Sequence, residues 1–272
     1  MSERPSPTEL VDLARAVALE AGALVREHAA GVVSVAATKS SDIDVVTAAD
    51  RACEELIRSR LLAVRPDDAI LGEEGDDVAG TTGVRWIVDP IDGTVNFLYG
   101  LGDHAVSIAA ELDGEVVAGV VLDVERDLVY AAHLDPTSPT GGRATRGGAV
   151  IQVRGPAPLA HRLVATGFNY TQEVRSVQAA AVARLLPAIR DIRRSGSCAL
   201  DLCRVAAGSL DGYVEEGVHV WDHAAGALIA RAAGARTLLT VGAAGREAVL
   251  CAPDHGFDEL LAAVRSAGLL RE

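Results

Sequence analysis

Apolar and polar positions recur along this chain in two rhythms, and the change from one to the other divides it. From Ser6, the segment SPTELVDLARAVALEAGALVREHA places apolar residues at 10, 13, 17, 21 and 24, the three-to-four spacing of one helical face. Pro7 near its start and Gly31 just past its end are the expected helix punctuation. KSSDIDVVTAADRACEELIRSRLLAVRPDD opens as a polar loop. It turns helical from about Thr47, with Asp50 at capping-box spacing and Pro66 beyond the end. AILGEEGDD and VRWIVDPIDG read as short strands that end in carboxylates. HAVSIAAELDGEVVAGVVLDVERDLVYAAHL reads as three antiparallel strands, turning at Asp113-Gly114 and at Glu125-Arg126-Asp127.

The Pro/Gly-rich DPTSPTGGRATRGGA follows and marks a boundary. Beyond it, RLVATGFNY predicts a strand, VQAAAVARLLPAIRD and CALDLCRVAAGSL helices, and DGYVEEG a strand. WDHAAGALIARAAG predicts a helix, ARTLLTV a strand and DELLAAVRSAG the final helix. Strands alternating with helices imply βα units. The expected fold class is α/β, with an α+β first half, an α/β second half and helices outside the sheets. The expected domains are residues 1–140 and 141–272, the first holding most of the candidate ligands below. No internal repeat is visible.

Composition narrows the function. Aromatics are only 3% of 272 residues, so the core must be built from Ala, Val, Leu and Ile. A net charge of −13 argues against nucleic acid as a partner. An anionic small molecule would need positive charge between it and an acidic site. Cys53, Cys198, Cys203 and Cys251 form no C-x-x-C pair and read as reduced core thiols. The opening MSERPSPTEL lacks a signal pattern, and no apolar run approaches the roughly 20 residues that span a bilayer. A cytoplasmic protein with no membrane partner is expected. Of 25 basic residues 24 are Arg, and Lys39 is the only lysine. In so Arg-rich a chain it marks a position where a guanidinium will not serve.

Three acidic groups carry candidate chemistry. Asp89 and Asp92 flank the turn in WIVDPIDGT. Pro and Asp-Gly also suit a plain turn, but Asp89 ends a strongly apolar strand, where α/β proteins place their sites. Gly93 and Thr94 can open a helix whose free N–H groups suit phosphate. Glu73 and Glu74 end the preceding strand and read alone as an exposed acidic loop. Asp222 stands in the first turn of an Ala/Gly-rich helix, a common capping position. His219 and His223 have the spacing of a zinc pair, but His219 falls ahead of the helix and ordinary roles are expected for both. Glu73, Asp89, Asp92 and Asp222 together form an all-oxygen set that selects Mg²⁺ or Mn²⁺ over zinc. Two such ions about 3.5–4 Å apart suit phosphoryl chemistry.

With these pieces in order, the chain resembles the inositol monophosphatase family of lithium-sensitive, Mg²⁺-dependent phosphatases. The matching segments are KSSDIDVVTAAD, LGEEG, WIVDPIDGTVNF, SGSCALDLCRVAAGSLDGYVEEGVHVWDHAAG and RAAGA. The resemblance implies a layered αβαβα fold, shared with fructose-1,6-bisphosphatase. It implies two or three Mg²⁺ ions, with Mn²⁺ possible and Li⁺ inhibitory. Hydrolysis of a small phosphate monoester, myo-inositol 1-phosphate first, would proceed by metal-activated water. Glu73, Asp89 and the Ile91 carbonyl would hold one ion, and Asp89, Asp92 and Asp222 a second. Glu73 and Thr94 would orient the water, Asp50 would support Thr94, and Lys39 would lie beside the metal loop, with Glu74 secondary. Gly93 and Thr94 would give N–H groups to phosphate. Asp92, Glu215 and the Cys198 N–H would meet the substrate's hydroxyls. A homodimer is implied. Histidinol-phosphate, fructose-1,6-bisphosphate and 3′-phosphoadenosine phosphatases share the architecture, as does a regulatory binding protein that keeps the fold; Glu215 favours a polyol. Ser197 and Cys198 stand where many relatives have small Thr or Ala, and GGRATRGGAVIQV lacks the family's Asn-Gly turn. Both departures bear on substrate choice.

Overall fold

The computed structural model describes residues 4–31, 35–38 and 45–271. Helix α1 (Pro7–Ala29) starts at Ser6, whose hydroxyl accepts from the Glu9 N–H in a capping box. A short antiparallel pair, β1 (Val35–Thr38) and β2 (Val45–Thr47), leads into α2 (Ala48–Val64). Thr47 and Asp50 cap α2 reciprocally, as their spacing requires. A seven-stranded sheet follows: β3 (Ala69–Gly72), β4 (Val84–Asp92), β5 (Ala105–Leu112), β6 (Glu115–Asp123), β7 (Leu128–Leu134), β8 (Gly142–Arg146) and β9 (Ala149–Val150), paired in that order. The single turn α3 (Thr94–Leu98) sits between β4 and β5.

The second sheet contains β10 (Leu163–Thr166), β11 (Asp191–Arg193), β12 (Gly212–Glu216), β13 (Ala235–Val241) and β14 (Glu247–Pro253), in the order β11-β10-β12-β14-β13. Between these strands run α4 (Gln172–Leu185), α5 (Cys198–Ala206) and α6 (Val220–Ala232), and α7 (Asp254–Ala267) ends the fold.

Strand alternation divides the interior into three cores and so stacks five layers. Along β5, Val106, Ile108 and Ala110 enter the core under α1 and α2, whereas Ala105 and Ala109 enter the core containing α5 and α6. Along β12, Tyr213 points into that middle core and Val214 into a third, shared with α4 and α7. Helices α5 and α6 therefore lie between the sheets, not outside them. Helix α6 is apolar almost all round, as a helix buried on both sides must be.

Close approach in the middle layer requires small residues. A Cβ on Gly119 of β6 would meet the Ala225 Cα of α6 at 3.0 Å and its carbonyl oxygen at 3.1 Å, both backbone atoms. Gly119→Val is expected to cost about 1–3 kcal/mol by overpacking, read by chemical denaturation. A stability equal to the parent would show that the layers can spread.

The α-β alternation of the second half gives parallel pairing only at β10–β11 and β10–β12; β14 runs antiparallel to β12 and β13. The Pro/Gly-rich segment after β7 is a hairpin turn: the Asp135 N–H donates to the Gly141 carbonyl, and Asp135 also accepts from Thr137. The first sheet therefore continues to Val150, past the expected boundary at residue 140. Among the described residues no helix is long and apolar enough to cross a membrane. All four cysteines are buried and free.

Candidate active site

Asp89 and Asp92 are three apart, so a regular strand would send them to opposite faces. The pairing of β4 with β5 shows why it does not. Asp89 faces Ser107 and Asp92 faces Ala105, so three steps on β4 oppose two on β5. One extra residue is a β-bulge, which reverses the alternation beyond it. Pro90 lies inside the bulge, where its missing N–H costs no ladder bond. Ile91 turns into the core under α2, and both aspartates emerge on the inner face.

Asp222 reaches the same place from the other side of the middle layer. It is the third residue of α6, and its Oδ2 accepts from the His219 N–H at 2.5 Å, capping the helix. The capping role and the site role thus coincide. One carboxylate oxygen each from Asp89, Asp92 and Asp222 lies within 4.8 Å of the others. Glu73, at the end of β3, lines the same cavity and is close enough to Asp89 to hydrogen-bond with it.

Charge so concentrated is held against a penalty. Burial, then the charges of Glu73, Asp92 and Asp222, push the Asp89 carboxyl well above its ordinary range. Burial, then Glu73 and Asp92, do the same to Asp222. Burial also raises Asp92, to about 7, although three donors oppose it. Those donors are Ser197 Oγ at 2.5 Å, the Ala199 N–H at 2.7 Å and the Cys198 N–H at 3.2 Å, so Asp92 caps α5. Unneutralised carboxylates at this spacing are unstable, and an all-oxygen donor set, buried at Asp89 and Asp92 and half-buried at Asp222, is what a hard divalent cation satisfies. The residues present therefore fit a metal.

Thr94 stands beside the cluster. Its Oγ1 lies 3.1 Å from both Asp50 Oδ1 and the Ile91 carbonyl oxygen. Asp50 is fully buried and also accepts from the Thr47 N–H and hydroxyl, at 2.8 and 2.5 Å. Burial is the main cause that raises its carboxyl.

The cavity, about 290 Å³, brings together Glu73, Asp89, Ile91, Asp92, Gly93, Thr94, Cys198, Glu215 and Asp222. Asp50 lies behind Thr94. Glu74 is not among the lining residues; its N–H donates to Glu54 of α2 at 2.8 Å and anchors the acidic turn. The Cys198 N–H, expected to meet a substrate hydroxyl, donates here to Asp92. Its thiol is pushed well up by burial and is no nucleophile. His219 stacks on Trp221 with ring centres 4.9 Å apart, while His223 faces Glu247, so the two histidines form no metal pair. Lys39 falls outside the described residues. Arg194 and Arg246 also line the cavity; neither stands in a motif, and no local pattern marks them.

Comparison with known proteins follows the same lines. The model of the inositol monophosphatase family matches residues 6–268. The inositol-1-monophosphatase SuhB of Mycobacterium tuberculosis is 46% identical over 278 residues, which cover 95% of this chain and 94% of the relative. The Nus factor SuhB of Escherichia coli is 34% identical over 227 residues, 83% of each. The solved structure of Mycobacterium tuberculosis SuhB superposes with a TM-score of 0.82 at 45% identity, covering 98% of this chain and 99% of that one. The inositol monophosphatase from Anabaena does so with a TM-score of 0.78 at 28% identity, covering 95% and 96%. The fold is thus shared across nearly the full length, and the chain belongs to the inositol monophosphatase family, the phosphatases of phosphate monoesters.

Proposed function

We propose that the protein is a Mg²⁺-dependent phosphatase that hydrolyses a small phosphorylated polyol, myo-inositol 1-phosphate before others. The observation that carries this reading is the convergence of Asp89, Asp92 and Asp222 within 4.8 Å. Glu73, Asp89 and the Ile91 carbonyl would hold one ion, and Asp89, Asp92 and Asp222 another. Divalent cations held there would neutralise the acidic rim, polarise the phosphate and activate water.

The chain's own groups supply position and proton control. With Asp50 ionised, the Thr94 hydroxyl donates to it and turns its lone pairs toward the cavity. Thr94 and Glu73 can then accept the protons of an attacking water and fix its approach. The Gly93 and Thr94 N–H groups offer donors to the phosphate. Glu215 accepts hydrogen bonds from the polyol, and Ser197, Cys198 and Ala199 hold Asp92 in place. With the Cys198 thiol protonated, and with the Thr94 and Ser197 hydroxyls engaged by Asp50 and Asp92, direct attack by water is favoured over a covalent intermediate. The same reading takes the protein as a cytoplasmic homodimer with two domains, the first reaching the end of β9.

The test is phosphate release from myo-inositol 1-phosphate, histidinol phosphate, fructose 1,6-bisphosphate and 3′-phosphoadenosine 5′-phosphate, with Mg²⁺ and with chelator. Release should require Mg²⁺, and the inositol ester should lead by about tenfold in kcat/KM, the worth of one well-made hydrogen bond to a charged acceptor. A lead by another ester would replace the substrate. Release undiminished by chelator would remove the metal. The identity to a Nus factor favours a second reading, in which the protein also binds a partner through this fold.

A further inference from the structure

The carboxylate of Glu215 is held on two sides. Tyr213 and Glu215 are two apart on β12, so both project to one face. The Tyr213 hydroxyl donates to Glu215 Oε2 at 2.6 Å. Tyr213 is fully buried in the middle core, so its ring has no freedom to follow a moving carboxylate.

The second side is a missing side chain. In the parallel pair of β10 with β12, Ala165 faces Tyr213 and Thr166 faces Val214. Carried one residue past β10, this register sets Gly167 beside Glu215. A Cβ on Gly167 would lie 1.9 Å from Glu215 Oε2 and 2.1 Å from Oε1. Glu215 therefore fills the space that any other residue at 167 would claim. Arg194, which lines the same cavity, adds a favourable charge toward Glu215 without being within ion-pair distance. Glu215 also lines the cavity, and the oxygen that Tyr213 engages is Oε2, not Oε1.

We propose that Tyr213 and Gly167 are positioning residues that lock the Glu215 carboxylate into one rotamer at the cavity wall, and that this lock selects esters bearing hydroxyls beside the phosphate over esters that lack them. The proposal rests on the polyol reading of Glu215 given above. A fixed acceptor loses little freedom when a substrate hydroxyl arrives, and an ester with no hydroxyl leaves a half-buried carboxylate without that donor. A floppy acceptor forfeits both effects. Discrimination should therefore depend on groups that never touch the substrate.

The experiment compares myo-inositol 1-phosphate with phenyl phosphate, which has no hydroxyl on its ring, in Mg²⁺. Tyr213→Phe removes the donor and keeps the ring. Gly167→Ala inserts the clashing Cβ and leaves Tyr213 alone. In each variant the ratio of kcat/KM for the inositol ester to that for phenyl phosphate should fall about tenfold. The loss should lie mainly in KM of the inositol ester. Equal losses for both esters in both variants would mean that the two residues merely support the fold, and an unchanged ratio would mean that Glu215 needs no lock; either overturns the proposal. A parent protein with no preference for the inositol ester would instead sink the polyol reading of Glu215 itself. Thermal unfolding of each variant separates loss of structure from loss of selection.

Discussion

Asp222→Asn is expected to lower phosphate release by about 10³-fold or more, while the protein stays folded and becomes more stable in chelator than its parent. The two effects have one cause. Asp222 shares the rim with Asp89 and Asp92, and its charge is opposed by burial, Glu73 and Asp92. Asparagine removes the charge that would help hold a cation, and about 4 kcal/mol of transition-state stabilisation corresponds to the stated loss. It keeps an oxygen that can accept from the His219 N–H, so the start of α6 is preserved. Relief of repulsion among the remaining carboxylates should raise the melting temperature of the chelated protein by about 2–4 °C, the equivalent of about 1 kcal/mol in a domain of this size. Phosphate release and thermal unfolding in chelator check both halves. Near-parental turnover would show that the aspartate of α6 takes no part in the site. A lower melting temperature would show that its charge is structural.

Elements with a local chemical cause could be read from the chain. The Asp113-Gly114 turn joins β5 to β6 because both residues adopt positive φ, 52° and 89°, which that pair tolerates and most pairs do not. The Thr47–Asp50 capping box starts α2 at the expected residue. The rim carboxylates of the first half were legible as a set, since Glu73 directly follows the apolar β3, and Asp89 and Asp92 close the apolar run of β4. How they meet was not. That depends on the bulge at Pro90 and Ile91, which turns two aspartates of opposite parity to one face, and a pattern of apolar residues does not state a bulge. Strand β14, EAVLCAP, was missed because it is buried on both faces and lacks alternation, while GAAGR before it carries no Asn-Gly or Asp-Gly pair. The placement of α5 and α6 between the sheets was hidden for a related reason. An Ala-rich helix reads as a helix, but its burial follows from Gly119 and Gly226, which permit close approach only once both neighbours are folded.

Chelated protein is expected to lose stability as pH rises from about 4 to about 7, and Mg²⁺ is expected to reverse the trend. Six carboxyls, Asp50, Asp89, Asp92, Asp201, Glu215 and Asp222, are raised in the folded state, with burial the largest cause for each. Between the unfolded value near 4 and the folded one, the native state binds more protons than the unfolded state. Stability must then fall with rising pH, and it levels off above the folded values. Asp92, raised to about 7, would alone account for a fall of about 4 kcal/mol across that window. His104 and His223, both pushed down by burial, act in the opposite direction below about pH 6.5. The lowered carboxyls Glu9, Asp135 and Asp191 lie at the surface and act only near and below the unfolded carboxyl range, so the six raised carboxyls set the sign across the window. On the proposed reading Mg²⁺ would bind only the ionised rim, so its stabilisation would grow as protons leave. Melting curves from pH 4 to 8, in chelator and in millimolar Mg²⁺, should therefore diverge steadily and lie furthest apart above pH 7. Parallel curves would mean that the rim binds no cation. A chelated protein that gains stability with pH would mean that another set of groups, outside this cluster, governs its charge balance.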